Sequence, residues 1–296
     1  MSEVATLSTP SPAVHSAREA FVFVQALAAE LSSGELDLPG FPEVVVRVRR
    51  VLADENVAAE RVARVLSAEP VLAAQLLQMA NSAALNPQGK PVTELKSAIL
   101  RVGLDVVRST TLAFAVRQLR KSASLQGLER PLDSLWQRTV LVASLCYVLS
   151  RRLTRLSPDT ALLAGLLQGI GRLYILTRAS AHRALFADVA SYQAIERDWH
   201  LGIAVAILEH WGVPEEILQA VRECEDFARE PRGAISLSDV LVAATLIVAC
   251  QEKPELLAAR LQSVRAIARL NLDAELCRSL MQESAAEIEG LRAALG

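Results

Sequence analysis

The chain has 296 residues, of which 52% are hydrophobic, 22% are charged and 4% are aromatic. This length allows a sizeable core, and a composition rich in Ala, Leu and Val but poor in aromatic residues favours helices. The formal net charge is −2 with both signs interspersed, so neither nucleic acid nor an anionic membrane is expected as a partner.

The cysteines and the amino terminus restrict the cellular setting. Cys146, Cys224, Cys250 and Cys277 lie far apart and form no Cys-x-x-Cys pair, so neither a disulfide framework nor a zinc site is expected. No stretch has the basic start and apolar core of a signal peptide, and the apolar runs are shorter than a membrane span. The sequence therefore predicts a soluble, cytoplasmic protein.

The first elements follow a polar segment. Residues 1–16 are rich in Ser, Thr, Pro and Ala without periodicity, which predicts a flexible tail. A first helix then ends near Ser33. Leu38-Pro-Gly-Phe-Pro42 predicts a rigid turn in which Pro42 opens the second helix.

Caps and prolines punctuate the next helices. Asn56 is predicted to cap a short helix, and Pro70 to open the one after it. Thr93 is the predicted cap of a helix that ends in a left-handed turn at Gly103. A further helix precedes the polar stretch 120–127, where a soft boundary between two lobes is expected.

The second half contains the most apolar helices. Trp136 is predicted to open a long helix, and Ser157 to cap the apolar helix that runs into a corner at Gly169 and Gly171. A single amphipathic helix is expected from Asn271 onward. No strand pattern is seen, so the predicted fold class is all-α.

Several short motifs, in order along the chain, carry a resemblance to a known family. They include the turn at 38–42, Gly165-Leu-Leu-Gln-Gly-Ile-Gly171, and His200 followed by Trp211-Gly-Val-Pro214. Over residues 38–250 the chain resembles the HDOD (HD-related output domain) family, a regulatory branch of the HD superfamily of metal-dependent phosphohydrolases. The motif residues are Pro39, Pro42, Pro70, Asn81, Ser82, Gly103, Gly165, Gly171, Trp211 and Pro214.

The resemblance implies an HD-like helical bundle in two lobes. The tail 1–16 would be followed by an amino-terminal lobe at 17–122 and an HD-like lobe at 123–252. The helices of 253–296 would pack on this domain.

The metal ligands that the resemblance implies are mostly missing. An HD site holds a divalent metal through His and Asp side chains. The corresponding residues here are Arg138, Gln168, Gly169, His200 and Thr245. Because one imidazole does not make a metal site, His200 is interpreted as a hydrogen-bonded structural residue, and no cofactor is expected.

Other candidates have plain structural interpretations. Asn81 and Ser82 could contact a ligand, but polar residues at a helix end are more often caps. Cys146 lies in an apolar helix and is interpreted as a core residue. The basic cluster Arg117, Arg120 and Lys121 is interpreted as a solvated face rather than a phosphate site.

Three functions are compared. The first is a non-catalytic signalling module that binds a partner protein, with a small ligand as a further option, in bacterial signal transduction. The second is a phosphohydrolase or cyclic-nucleotide phosphodiesterase in which His200, Glu225, Asp226 and Asp239 form an improvised site. The third, a nucleic-acid-binding regulator, would need a basic recognition helix that is not found. The partner, the input signal, the pathway and the oligomeric state stay open.

Overall fold

The computed structural model describes residues 12–33, 43–54, 57–87, 89–119, 125, 127–182, 185–186 and 188–295. Within these ranges the regular elements are helices and no strand occurs, which confirms the predicted all-α class. Several predictions lie outside the described residues: the turn at 38–42 with Pro39 and Pro42, the cap Asn56, and the basic residues Arg120 and Lys121. In chain order the helices are α1 (Pro12–Ser33), α2 (Glu43–Leu52), α3 (Ala59–Leu66), α4 (Pro70–Ala80), α5 (Leu95–Leu119), α6 (Glu129–Leu153), α7 (Pro158–Leu167), α8 (Ile170–Ala179), α9 (Val189–His210), α10 (Glu215–Glu223), α11 (Leu237–Ala249), α12 (Pro254–Ser263), α13 (Arg265–Ala268), α14 (Ala274–Glu283) and α15 (Ala285–Leu295).

Some helix ends differ from the sequence-based expectation. Helix α1 begins at Pro12, inside the predicted tail of residues 1–16. Helix α5 is preceded by Glu94 rather than capped by Thr93, because the carbonyl of Glu94 accepts the first helical hydrogen bond. The single carboxyl-terminal helix is two helices, since Ser284 leaves helical geometry between α14 and α15.

Helix α6 begins at Glu129, seven residues before the predicted start at Trp136. Its first two turns carry only one buried residue, Leu132, so the apolar periodicity there is weak. The Glu129 carboxylate accepts a hydrogen bond from the N–H of Gly127 at 3.0 Å, so the first residue of the helix is bonded to the backbone that precedes it. A hydrogen bond therefore marks a start that hydrophobic spacing does not reveal.

Gly103 has the positive φ that the sequence predicted, with φ 78° and ψ 170°. Helical geometry is interrupted there, as the sequence predicted, and a second helical segment continues to Leu119. The range Leu95–Leu119 named α5 thus consists of two helical segments that meet at a kink at Gly103.

The helices α6 and α7 form the centre of the core. Ser157 caps α7 by accepting the N–H of Thr160 at 3.2 Å, and all seven residues from Ala161 to Leu167 are buried. A Cβ at Gly165 would overlap the backbone of Ala143, so the two helices cross in direct contact. Glycine is needed at position 165 because the crossing leaves no space for a side chain.

The predicted lobes share one continuous core. Buried apolar residues from Phe23 to Leu295 belong to a single cluster. Helix α1, expected in the first lobe, packs on the second, where Glu30 accepts hydrogen bonds from Tyr174 and Arg178. Helix α15 packs against α4 and α6, and its Glu287 pairs with Arg151 of α6. Helix α1 therefore contacts the second predicted lobe, and helix α15 contacts both predicted lobes.

One stretch of the described residues, Pro158–Ala179, is long and apolar enough to cross a membrane by length and composition. It consists of α7 and α8, which are separated by the corner at Gln168 and Gly169. Because 89% of its most apolar window is buried inside the fold, it has the surroundings of a core helix pair.

Candidate functional site

His200 lies where α8 crosses α9, and its side chain is fully buried. The crossing depends on Gly171, since a Cβ there would lie 1.9 Å from the carbonyl oxygen of His200 and 2.9 Å from the amide nitrogen of Ala204. The direct contact of the two helix backbones brings Arg172, the next residue of α8, to the imidazole.

Four side chains from α8, α9 and the turn after α10 form what we name the Arg172 cluster: Arg172, Glu196, His200 and Glu225. Nη2 of Arg172 lies 3.0 Å from Nε2 of His200 and donates to Oε1 of Glu225 at 2.6 Å. Nε of Arg172 is 3.2 Å from Oε1 of Glu196. Nε2 of His200 is also 3.2 Å from Oε2 of Glu225. One guanidinium thus joins an imidazole to two carboxylates.

The cluster favours the ionised form of Glu225. Burial alone would raise the pKa of this carboxyl group, but the hydrogen bond with His200 and the charge of Arg172 outweigh burial and lower the pKa to about 2. Nδ1 of His200 is buried without a hydrogen-bond partner among the described residues. The imidazole is therefore bonded through Nε2 alone, which agrees with the predicted hydrogen-bonded role.

Two further degenerate positions adjoin this cluster. Arg138 lies on α6, and desolvation of the guanidinium and then the charge of the neighbouring Arg172 lower its pKa. Gly169 packs against the side chain of Thr139, whose Oγ1 would lie 2.5 Å from an added Cβ. The position of the family's Asp is thus filled by a neighbouring helix and offers no carboxylate.

The remaining degenerate positions supply weak ligands. Gln168 is buried at the end of α7 and offers only an amide. Thr245 is buried in α11, and its hydroxyl has no partner among the described residues. No group of three or more His, Cys, Asp or Glu side chains able to hold a metal occurs in the described part of the chain. With His200 held by Arg172 and Arg138 nearby, these residues do not fit a divalent cation.

The improvised site considered from the sequence does not assemble. Asp239 is fully buried in a separate network, where it accepts from the backbone N–H of Ser236 at 2.9 Å and pairs with Arg229 and Arg269. Asp226 is exposed and accepts from the N–H of Ala228. Of the four residues proposed for this site, only His200 and Glu225 are in contact.

The motif residue Asn81 has a structural role. Its amide donates to the carbonyl of Val92 at 2.8 Å and accepts the N–H of Val92 at 2.8 Å, as a paired backbone strand would. It also donates to the carbonyl of Leu77 at the end of α4. Asn81 therefore closes the loop to Val92, while the buried hydroxyl of Ser82 has no partner among the described residues.

The other candidates also have local explanations. Pro70 is the first residue of α4. Cys146 is fully buried, and burial raises the pKa of its thiol, so it has the environment of a core residue. Arg117 is half-buried rather than solvated, and its guanidinium lies within hydrogen-bonding distance of the Gln75 amide. Trp211 and Pro214 line a cleft together with residues of α2, α5 and α7.

The sequence-based selection missed Arg172 and Glu196. Arg172 follows Ile170-Gly171 in a helix that is otherwise largely buried, and a charge in such a helix needs a partner. Glu196 precedes His200 by four residues on α9, so both lie on one helix face. These two local signals are sufficient to select Arg172 and Glu196 as candidate site residues. They do not show that the two side chains contact each other.

Comparison with known proteins identifies the class. Residues 38–227 match the HDOD domain family, which is more than half of the chain. The protein belongs to the HDOD domain family.

Solved structures share the fold. A protein from Shewanella amazonensis SB2B, provisionally named a metal-dependent phosphohydrolase, is 24% identical with a TM-score of 0.71, over 94% of this chain and 100% of the other. An HDOD domain protein of unknown function from Geobacter sulfurreducens is 25% identical with a TM-score of 0.63, over 91% and 96%. A protein from Marinobacter aquaeolei VT8, provisionally named for signal transduction, is 19% identical with a TM-score of 0.59, over 99% and 68%.

A curated relative is longer than this chain. An uncharacterized protein from Treponema pallidum (strain Nichols) is 22% identical over 214 residues. The match covers 66% of this chain but 39% of the relative, so the chain spans about two-fifths of the relative's length.

Proposed function

We propose that this HDOD protein is a non-catalytic regulatory module of bacterial signal transduction that acts by binding a partner protein. The observation that carries the proposal is the guanidinium of Arg172 between His200 and Glu225. A divalent ion at His200 would have to displace a cation that already pairs with two carboxylates. In this proposal, an internal ion pair occupies the position at which a catalytic metal ion would have to bind.

The provisional names of the solved relatives correspond to the two main candidate functions, a metal-dependent phosphohydrolase and a signal-transduction protein. The Arg172 cluster favours the second, because phosphodiester hydrolysis of the HD kind requires several fixed ligands that make metal-bound water ionise near neutral pH. Gln168, Gly169 and Thr245 lack the carboxylate that would balance the charge of such a metal.

The catalytic alternative is tested with the purified full chain. We expect substoichiometric metal after incubation with manganese, iron or zinc and dialysis, and no turnover of cyclic mono- or dinucleotides. His200→Ala removes the imidazole, and His210→Ala, an exposed histidine at the end of the same helix, is the matched control. About one metal per chain together with hydrolysis that His200→Ala abolishes and His210→Ala retains would refute the proposal.

The partner surface that we propose is on α1. Phe21 and Val22 are adjacent and are 63% and 47% exposed, whereas the other large exposed apolar side chains of the described residues occur singly in their helices. Adjacent exposed apolar residues are typical of protein interfaces. The opposite face of α1 is fixed to the core through buried Phe23 and Leu27, so the exposed face is held in place.

The interface is tested in the native host with a tagged full-length protein. We expect a host protein to co-purify at a fixed stoichiometry and to be lost with Phe21→Glu at an unchanged melting temperature. Leu100→Glu, at a side chain that is 68% exposed on α5, is the control and should retain the partner. Equal recovery with both variants would contradict an interface on α1.

A further inference from the structure

A cleft lies between helices that the sequence assigned to different lobes, and no residue of the Arg172 cluster lines it. One wall comes from α2 and α5, and the other comes from α7 and the corner Trp211–Pro214 between α9 and α10. Its volume is about 130 Å³, similar to the ~150 Å³ of an engineered apolar cavity that binds benzene. The cleft therefore has room for one small ring, and not for a helix of another protein.

The floor of the cleft is apolar. Leu52, Leu112, Leu163 and Leu167 line it and are themselves almost fully buried, so they are held in place by the core behind them. Water that contacts leucine side chains gains no hydrogen bond from them. An apolar group that entered the cleft would release this water without requiring the helices to move.

The polar side chains on the α5 wall are bonded within the protein. Arg108 donates to Oδ1 of Asp105 at 2.7 Å and to the carbonyl of Leu52 at 2.8 Å. The other carboxylate oxygen of Asp105 accepts a hydrogen bond from the hydroxyl of Thr160 at 2.7 Å, and the hydroxyl of Thr111 donates to a carbonyl of its own helix. Buried side-chain polar atoms without a partner do occur in the described part of the chain, but none belongs to a residue that lines the cleft.

Arg49 connects the two walls. Its guanidinium lies 5.0 Å from the ring centroid of Trp211, a distance at which a cation and an aromatic ring attract each other. A charged occupant would lose hydration without meeting an unpaired opposite charge among the described lining residues, whereas a neutral apolar occupant has little hydration to lose. The lining of the cleft therefore favours a neutral molecule.

We propose that this cleft binds one neutral apolar ring, a molecule of the size of benzene or toluene. The ring would contact Leu112 and Leu163 on the floor and the half-buried Val46 on the α2 wall. The inference rests on the proposed regulatory function and deepens it, since it assigns an input ligand to the module. Because the walls come from both halves of the chain, an occupant contacts both and stabilises their packed arrangement.

The experiment titrates the full chain with toluene, benzoate and benzylammonium, which share one ring and differ in charge. Calorimetry in sealed cells measures the affinity, and NMR spectra of the leucine and valine methyl groups locate the contact. We expect saturable binding of toluene with a dissociation constant of about 1 mM or below, and binding at least about tenfold weaker for both ions. Toluene should also raise the melting temperature, because it binds the folded chain.

Two variants fill the cleft. Val46→Phe adds a ring to a half-buried wall residue and should abolish both toluene binding and the rise in melting temperature. Ala53→Phe should do the same from an exposed lining position, where the new side chain leaves the core unchanged. Val71→Phe, at an exposed valine of α4 outside the cleft, is the matched control and should bind toluene as the wild type does.

Several outcomes would overturn the proposal: no saturable binding of toluene up to ~4 mM, toluene binding that a folded Val46→Phe or Ala53→Phe protein retains, or an ion that binds as tightly as toluene. A failed titration with neither metal nor turnover removes the ligand and leaves the regulatory function standing. Hydrolysis that His200→Ala abolishes removes the regulatory function without changing the titration. The two failures are therefore distinguishable.

Discussion

Gly171→Ala would place a methyl group where α8 crosses α9. The new Cβ would lie 1.9 Å from the carbonyl oxygen of His200, whereas real Cβ atoms essentially never come within 3.0 Å of such an atom. The helices would have to separate by about 1 Å, because the obstacle is backbone rather than a flexible side chain.

The energetic cost follows from this displacement. Overpacking of a closely packed crossing costs about 1–3 kcal/mol. Misplacing His200 from Arg172 and Glu225 adds roughly 1–3 kcal/mol for the disturbed buried hydrogen bonds. The better helix propensity of alanine returns about 1 kcal/mol. We expect a net loss of about 3 kcal/mol and a fall in the melting temperature of roughly 5 °C for a chain of this size.

The assay is thermal unfolding of both variants, followed by circular dichroism and calorimetry. Gly202→Ala on α9 is the matched control, since an added Cβ there meets no atom within 4 Å. The control should unfold at the wild-type temperature or slightly above it, by up to about 1 kcal/mol of added stability. A Gly171→Ala protein that melts at or above the wild-type temperature would refute the inferred contact between α8 and α9.

Three other substitutions test the core and its charges. Burial and then the neighbouring Asp105 raise the pKa of Asp159 from 3.8 to about 6. The free energy of unfolding therefore falls as pH rises through this interval. We expect Asp159→Asn to increase the free energy of unfolding by at most about 3 kcal/mol at pH 7.5 and by little near pH 4, which pH-dependent melting measures. Leu166→Asp should cost at least several kcal/mol, because the carboxylate enters a fully buried face of α7, and near-wild-type melting would contradict that placement. Asp239→Ala should cost about 3–5 kcal/mol by leaving buried arginines unpaired, whereas exposed Asp226→Ala should change stability by less than about 0.5 kcal/mol in the same denaturant titration.

Most helices were predictable because their signals are local. Ser157 caps the start of α7 and Pro70 starts α4, since caps and fixed φ angles act within one turn. The early start of α6 was missed because its first turns depend on the hydrogen bond that the Gly127 N–H donates to the Glu129 carboxylate rather than on apolar spacing. The division of the last segment at Ser284 was missed because the amphipathic pattern continues across it.

The degeneracy of the HD positions was also visible from the sequence, since a residue without a ligand atom, such as Gly169, has none in any fold. The sequence did not show which arginines the acidic residues Asp239 and Glu225 pair with. Asp239 pairs with Arg229 and Arg269, whereas Glu225 pairs with Arg172. Partner choice between charges depends on distances of a few ångströms, which helix packing sets.

The sequence by itself determined the all-α class, most helix ends and the absence of the usual metal ligands, because periodicity, capping and side-chain chemistry are properties of neighbouring residues. Only the tertiary structure decided that Arg172 lies against His200 and Glu225, which are 28 and 53 residues away along the chain. It likewise decided that Arg49 and Trp211 meet at one cleft. Such contacts arise where helices cross, and the crossing at Gly171 is set by the packing of whole helix faces rather than by any local signal.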